Sequence, residues 1–239
     1  MILYMPYYRT KIKSGDVLEV EEHFSLRERD KRIPRRKGNR LPSSLRQMNL
    51  NDINSRKKLG RLINANFRKG DLWLRLSYNR EPEFEQSIKD LRNFIRRVEY
   101  LRKKKGLPHL KYIAVTETED ENGEAVRIHH HIIMQQMNME DIISLWPLGW
   151  VDPRRLFPGG DYEKLAKYMV KTARKAHAKR WSQSRYLERP IVEYQIVKRS
   201  PDVLKPPKGY IAIEQTYSAT DNGIVKYLRA VRIGGADFR

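Results

Sequence analysis

The chain has 239 residues, no cysteine, and 49 lysines and arginines against 29 acidic residues, which gives a formal net charge of +20 at pH 7. The absence of cysteine excludes disulfides, thiolate catalysis and cysteine-ligated zinc fingers. The basic excess is typical of a protein that binds a polyanion, and nucleic acid is the leading candidate. A membrane surface is the alternative, but the longest apolar stretch, residues 142–151, is interrupted by proline and glycine and is too short to span a bilayer. Residues 1–8 lack the features of a signal peptide, so we expect a soluble intracellular protein.

The first fifty residues predict a hairpin followed by a basic arm. Residues 2–12 and 17–21, separated by a Ser-Gly-Asp turn, indicate two short strands. Residues 27–46 are rich in basic side chains and contain two prolines and a glycine, which favours a loop over a helix or strand. This arm is either a solvated linker or a segment that contacts DNA.

The middle of the chain predicts helices and strands in alternation. A helix begins near Asn51 or Asp52, and residues 71–78 alternate leucines with other residues like a half-buried strand. Residues 84–101 carry an apolar stripe at steps of three and four and end in a basic run before a glycine, as an amphipathic helix does. Residues 111–118 and 127–135 indicate two strands of a hairpin around an Asn-Gly turn.

The last third predicts helices and a third hairpin. A short helix at residues 139–145 and a connection rich in proline and glycine precede a helix that Asp161 caps and that runs to about residue 176. Residues 209–217 and 224–233 indicate a final hairpin. The pattern predicts an α+β fold, with a central, mostly antiparallel sheet and helices packed on one face. We expect a hairpin and arm in residues 1–50, a core in 51–180 and a C-terminal extension with a hairpin in 181–239, in one compact domain.

Three of the six histidines lie side by side in the second strand of the central hairpin. Successive residues of a strand point to opposite faces, so His129 and His131 project together, while His130 points with Ile128 and Ile132 to the apolar side. A lone strand histidine is usually a hydrogen-bonded structural group, but two imidazoles on one face form half of a transition-metal site. His129 and His131 are therefore candidate metal ligands.

The helix after this hairpin carries a second candidate group. At ~100° per residue, Tyr168 falls on the edge of the predicted buried stripe. Lys171 follows three residues later and is its neighbour on the helix surface. A boundary tyrosine near a lysine is ordinarily amphipathic packing, so the pair gains meaning only in combination with the histidines.

The His-His-His run at 129–131, the Tyr-Met-Val-Lys run at 168–171 and the strongly basic composition together resemble the HUH endonuclease superfamily. The resemblance is specifically to rolling-circle replication initiator (Rep) proteins of plasmids and small single-stranded DNA phages. His130 stands where a hydrophobic residue is usual. Residues 71–78 are similar to the first motif of that family, with arginine and serine at its threonine-like positions, and the resemblance covers residues 71–180.

The resemblance implies an HUH/RRM-like (ferredoxin-like) nuclease core and a metal-dependent, site-specific single-stranded DNA endonuclease that nicks and rejoins strands. His129 and His131 would hold Mg²⁺ or Mn²⁺ together with a third ligand, for which Glu117 on the preceding strand is the best match. Tyr168 would attack the scissile phosphate and leave a 5′-phosphotyrosine and a free 3′-OH. Lys171 would stabilise the phosphate charge or favour the phenolate. The implied partners are single-stranded or hairpin origin DNA, a host helicase and a host polymerase, in the cytoplasm of a bacterial host.

The role of Glu117 depends on the register of the central hairpin. A strict two-residue turn places Thr116 opposite His129, which turns Glu117 to the wrong face. A bulge, or a loop one residue longer, reverses that alternation. Glu119 lies two residues after Glu117, so the two side chains point to the same face of the strand.

Other functions stay open at this point. Relaxases and single-tyrosine transposases use the same chemistry, and a non-catalytic nucleic-acid-binding protein with structural histidines would explain the charge. A zinc metallohydrolase is disfavoured because no activating glutamate stands at helix spacing from the histidines. No Walker A sequence occurs, so a helicase motor would come from the host. Residues 179–189 mix basic side chains with Trp181 and Tyr186, which suits either stacking on unpaired bases or packing onto the domain.

Overall fold

The computed structural model describes residues 7–24, 45–120, 123–157, 161–172, 180–220 and 223–234. The predicted basic arm up to residue 44, and the predicted end of the last helix after residue 172, lie outside the described residues. Within the described ranges, no helix is long and apolar enough to cross a bilayer.

The described elements form two five-stranded antiparallel sheets and the helices between them, which confirms the predicted α+β class. In chain order the elements are β1 (Tyr7–Ser14), β2 (Val17–Phe24), α1 (Leu45–Asn66), β3 (Leu72–Ser77), α2 (Phe84–Lys104), β4 (Tyr112–Glu119), β5 (Ala125–Met134), α3 (Met139–Ser144), β6 (Val151–Arg155), α4 (Glu163–Thr172), β7 (Ser182–Gln183), β8 (Ile191–Val197), β9 (Tyr210–Thr220) and β10 (Gly223–Arg232). The terminal sheet has the order β8-β1-β2-β10-β9, and the central sheet has the order β6-β3-β5-β4-β7.

Helix α1 begins at Leu45, so the prediction of a cap at Asn51 or Asp52 is wrong. The side-chain amide of Gln47 donates to the Asn51 side chain at 3.0 Å, one helical turn further on. Hydrogen bonds at this spacing stabilise a helix internally. Asn51 therefore supports the first turns of α1 from inside the helix.

Helices pack on both faces of the central sheet, where the sequence predicted one covered face. One face buries the leucines of β3 against Phe94 and Val98 of α2, and the other buries Ile113 and Ile133 against α1 and α4. The reason is visible in β5, whose consecutive residues 132–134 are all fully buried. A continuous apolar run in a strand requires cover on both sides of the sheet.

A buried polar cluster joins the terminal sheet to α1. Glu19 of β2 accepts hydrogen bonds from the Arg61 guanidinium at 2.9 and 2.6 Å and from the Tyr227 hydroxyl at 3.0 Å. Burial and the negative charge of Glu19 raise the pKa of Tyr227 well above its usual range, so its phenol remains a donor. Arg61 supplies the compensating charge for a carboxylate that is buried.

Replacing Arg61 with leucine is expected to lower the free energy of unfolding by about 2–4 kcal/mol, because it leaves the buried Glu19 carboxylate without its cation. Urea denaturation measures this loss. Arg154→Leu is the matched control, since Arg154 pairs with Asp152 on the exposed surface and its removal should leave the denaturation curve nearly unchanged. Equal losses in the two variants would contradict a stabilising role for the buried pair.

Candidate metal and tyrosine site

The β4–β5 hairpin places Glu117 directly opposite His129. Its register shifts between Glu117 and Glu119, because Glu119 pairs with Ala125 while Glu117 pairs with His129. The pair nearest the turn, Glu119 with Ala125, encloses an odd number of residues, whereas a strict turn encloses two. This odd length reverses the alternation that a strict turn would impose, and the shift further along the hairpin is by two residues and keeps the reversed alternation. The Glu117 carboxylate consequently lies on the same face of the sheet as His129 and His131.

Glu117, His129 and His131 form a compact buried group, called here the ligand cluster. Oε2 of Glu117 lies 3.1 Å from Nε2 of His129 and 3.0 Å from Nε2 of His131. One ligand atom from each residue lies within 4.8 Å of the other two. A carboxylate oxygen and two imidazole nitrogens at this spacing could hold a divalent metal ion.

The hydrogen bonds of His129 show why the cluster suits a cation. Nδ1 of His129 lies 2.8 Å from the carbonyl oxygen of Arg127, which can only accept, so Nδ1 donates to it and Nε2 faces Glu117. Burial alone would raise the pKa of Glu117, but the hydrogen bonds and charges of His129 and His131 outweigh it and lower that pKa to about 2. An ionised carboxylate thus faces Nε2 of His129, and this contact is attractive only when a cation, either a proton on Nε2 or a metal ion, lies between the two atoms.

His131 is in the form that a metal requires. Burial lowers its pKa, and the charge of His129 adds to this effect against the opposing hydrogen bond to Glu117, which favours the neutral imidazole. Trp73 of β3 stacks on the His131 ring with centroids 4.8 Å apart and planes 7° from parallel. Nδ1 of His131 is buried without a hydrogen-bond partner among the described residues. The His131 ring is therefore oriented by its stacking on Trp73 and by its Nε2 contacts.

Tyr168 of α4 reaches the ligand cluster from the neighbouring helix. Its phenol oxygen lies 3.1 Å from Nε2 of His131 and 3.4 Å from Oε2 of Glu117. Tyr168 as a whole is 43% exposed, so the residue lies at the surface beside the buried ligand cluster. Lys171 lies one turn further along α4 and is half-buried.

His130 points to the opposite face, as the alternation of the strand predicts. It is fully buried, with Nε2 2.9 Å from the Tyr78 hydroxyl and Nδ1 2.9 Å from the Thr116 hydroxyl. Burial lowers its pKa to about 3, so the ring stays neutral. His130 is therefore a hydrogen-bonded core residue that lies apart from the ligand cluster.

Strand β3 contributes side chains to the site, where the sequence interpretation had named Arg75 and Ser77 only as part of a family motif. Trp73, Arg75 and Ser77 alternate with the buried leucines, and Arg75 pairs with His131 while Ser77 pairs with His129. The sequence does indicate that Trp73, Arg75 and Ser77 share one face of β3, because they alternate with the leucines. What could not be read was that β3 pairs with β5, because that pairing is not local.

The segment at residues 180–189 makes contacts with the rest of the chain. Arg180 forms an ion pair with Asp52 of α1 at 2.6 Å, and Trp181 packs against the apolar cluster beside α1 and α4. Tyr186 stacks on His109 with centroids 4.3 Å apart. Of the two interpretations left open by the sequence, these contacts favour packing onto the domain.

Comparison with known proteins gives one family match. Residues 71–176 match the family of the replication-associated protein ORF2. No curated protein and no solved structure matches the chain. The matched segment contains Glu117, both ligand-cluster histidines and Tyr168. In this segment the chain is therefore similar to a family of replication-associated proteins.

Proposed function

We propose that this protein is a rolling-circle replication initiator of the HUH endonuclease type, which nicks single-stranded origin DNA with Tyr168 as the nucleophile. The observation that carries the proposal is the position of the Tyr168 phenol oxygen, 3.1 Å from His131 Nε2 and beside a buried carboxylate. The similarity of the same segment to replication-associated proteins supports it.

The proposed chemistry assigns one role to each group. Glu117, His129 and His131 hold Mg²⁺ or Mn²⁺, which when bound supplies Lewis-acid polarisation of the scissile phosphate. The Tyr168 phenol oxygen bonds to phosphorus as the bond from phosphorus to the 3′-oxygen breaks, and this yields a 5′-phosphotyrosine and a 3′-OH. The phenolic proton passes to solvent and the departing oxygen takes one up. Lys171 stabilises negative charge on the phosphate or the phenolate.

The covalent intermediate makes the reaction reversible and provides a primer for replication. The phosphotyrosine keeps the energy of the broken bond, so a 3′-OH can attack it and rejoin the strand. A host polymerase extends the free 3′-OH behind a host helicase, in the cytoplasm of a bacterial host. Residues 51–180 form the endonuclease core in this proposal, and the segments 1–50 and 181–239 flank it. Relaxases and single-tyrosine transposases share the chemistry, but the similarity to replication-associated proteins favours the initiator.

The test is covalent capture. The full chain, incubated with a library of randomised single-stranded oligonucleotides and Mn²⁺, should form an adduct that resists SDS, and EDTA should prevent it. Peptide mapping should place the attached nucleotide on the α4 peptide that contains Tyr168. Binding of the oligonucleotides without any adduct, in Mn²⁺ and in Mg²⁺, would instead favour a non-catalytic nucleic-acid-binding protein.

A further inference from the structure

A cleft of about 470 Å³ adjoins the ligand cluster on the side of His129, and its volume is in the range of small-ligand sites. Strands β3 and β5 and the segment that leads into β6 form its walls. The lining residues that matter here are Arg75, Ser77, Arg127, His129 and Trp150. We infer that this cleft, called here the base cleft, binds the base of the nucleotide that keeps the 3′-OH at the nick. The inference rests on the proposed function.

The backbone that carries Trp150 is tightly fixed. The Ser77 backbone N–H donates to the Trp150 carbonyl at 2.9 Å, and the Asn79 N–H donates to the Leu148 carbonyl at 2.9 Å. A Cβ atom at Gly149 would lie 2.2 Å from the Ser77 carbonyl oxygen, so only glycine allows this close approach. The chain is thus held against the end of β3 at the residue before Trp150.

The indole of Trp150 is nevertheless 73% exposed at the edge of the cleft. An aromatic ring gains its largest stabilisation from burial, so a fixed backbone that presents an exposed ring leaves that gain for a ligand. Stacking of an unpaired base on such a ring is the usual way in which proteins hold single-stranded nucleic acid. A fixed, exposed tryptophan beside the candidate nicking site therefore indicates a stacking platform.

Asp152 and Glu81 also line the cleft, and both carboxylates already have partners within the chain. Asp152 pairs with Arg154 at 2.9 Å, and Glu81 accepts a hydrogen bond from the Ile128 backbone N–H at 2.9 Å.

Two arginines supply positive charge to the same cleft. The Arg127 guanidinium donates to the carbonyls of Tyr78 and Asn79 at 3.1 Å, which places it at the wall of the cleft. Arg75 is exposed, and within the described ranges its side chain makes no hydrogen bond or ion pair. Its guanidinium remains available for a phosphate next to a base that stacks on Trp150.

The position of the cleft decides which nucleotide it would hold. Tyr168 contacts His131, whereas the cleft adjoins His129 at the other end of the histidine pair. In an in-line displacement the attacking and leaving oxygens stand on opposite sides of phosphorus. The leaving 3′-oxygen and its nucleotide must then lie away from Tyr168, on the side of the base cleft.

The binding test uses EDTA, so that it is independent of nicking. Oligo-dT of about 20 nucleotides, longer than the usual footprint of a single-strand site, is compared with an abasic chain of equal length. Trp150→Ala should reduce the preference for oligo-dT about tenfold, and Trp150→Phe should restore most of it. Tyr194→Ala is the matched control, because Tyr194 is 75% exposed on β8 in the other sheet. Equal preferences in Trp150→Ala and Tyr194→Ala would overturn the inference.

A second measurement tests the placement of the nucleotide. One abasic site is moved along a strand that the protein nicks, and adduct formation is measured at each position. Directly 5′ of the nick, the abasic site should slow the wild type about tenfold and should slow Trp150→Ala no further. The same penalty in both proteins would refute the placement. If the wild type forms no adduct, the nicking proposal and this placement fail together, while the binding test still decides whether the cleft takes a base.

Discussion

The Tyr168→Phe variant is expected to form no covalent adduct with single-stranded DNA while it binds that DNA as the wild type does. The substitution removes only the phenol oxygen, which lies 3.1 Å from His131 Nε2, and keeps the ring that packs edge-on against Trp73. Because the nucleophile itself is lost, adduct formation should fall by at least about a thousandfold. Quantitative SDS gels in Mn²⁺ measure the adduct, and fluorescence anisotropy in EDTA measures the binding.

Tyr100→Phe is the control for this variant. Tyr100 is an exposed tyrosine of α2, as Tyr168 is of α4, but it lies outside the ligand cluster. Its replacement should leave adduct formation unchanged. An adduct at the wild-type level in Tyr168→Phe would show that another group is the nucleophile, and weaker DNA binding in that variant would show that the phenol also holds the substrate.

Local patterns predicted much of the central sheet and of the site. The alternation of β5 was enough to put His129 and His131 on one face and His130 on the other, because side-chain direction in a strand depends only on parity. The face of Glu117 could not be read in the same way. It depends on whether the connection between Glu119 and Ala125 holds an odd or an even number of residues, which the Asn-Gly pair alone does not decide.

Strands that rely on distant partners were missed. β6 contains Pro153, which argues against a central strand, and it forms at the edge of the central sheet, where proline is tolerated. β8 is rich in β-branched residues, but it pairs with β1 from near the other end of the chain. The first and the last of the three predicted hairpins both exist, and their association into one terminal sheet is a long-range event that no local period encodes.

Trp150 shows the same limit at the proposed base cleft. In the sequence it is one tryptophan in a connection rich in proline and glycine. Its interest comes from the contact of Gly149 with the end of β3 and from the exposure of its ring, and both are tertiary properties. An exposed aromatic side chain on a backbone fixed by tertiary contacts, as at Trp150, is therefore visible only in the folded structure.

The three adjacent histidines should respond to substitution in two different ways. His129→Ala or His131→Ala removes one nitrogen of the ligand cluster, so Mn²⁺ binding should weaken and nicking should fall on the order of 100-fold, about 3 kcal/mol of transition-state stabilisation. His130→Leu should keep both Mn²⁺ binding and nicking, because its ring lies on the opposite face of the sheet. Calorimetric titration with Mn²⁺ and the adduct assay give the two readouts.

The free energy of unfolding should respond in the opposite order, with the larger loss at His130 and the smaller loss at His129. His130→Leu leaves the Tyr78 and Thr116 hydroxyls without the ring nitrogens that lie 2.9 Å from each, so the free energy of unfolding should drop by about 1–3 kcal/mol. His129→Ala should cost less in the absence of metal, since Glu117 keeps its contact with His131 Nε2 at 3.0 Å. Urea denaturation in EDTA measures both changes. Equal loss of nicking at all three positions would refute the separation of faces, because alternation in β5 allows only His129 and His131 to share a metal.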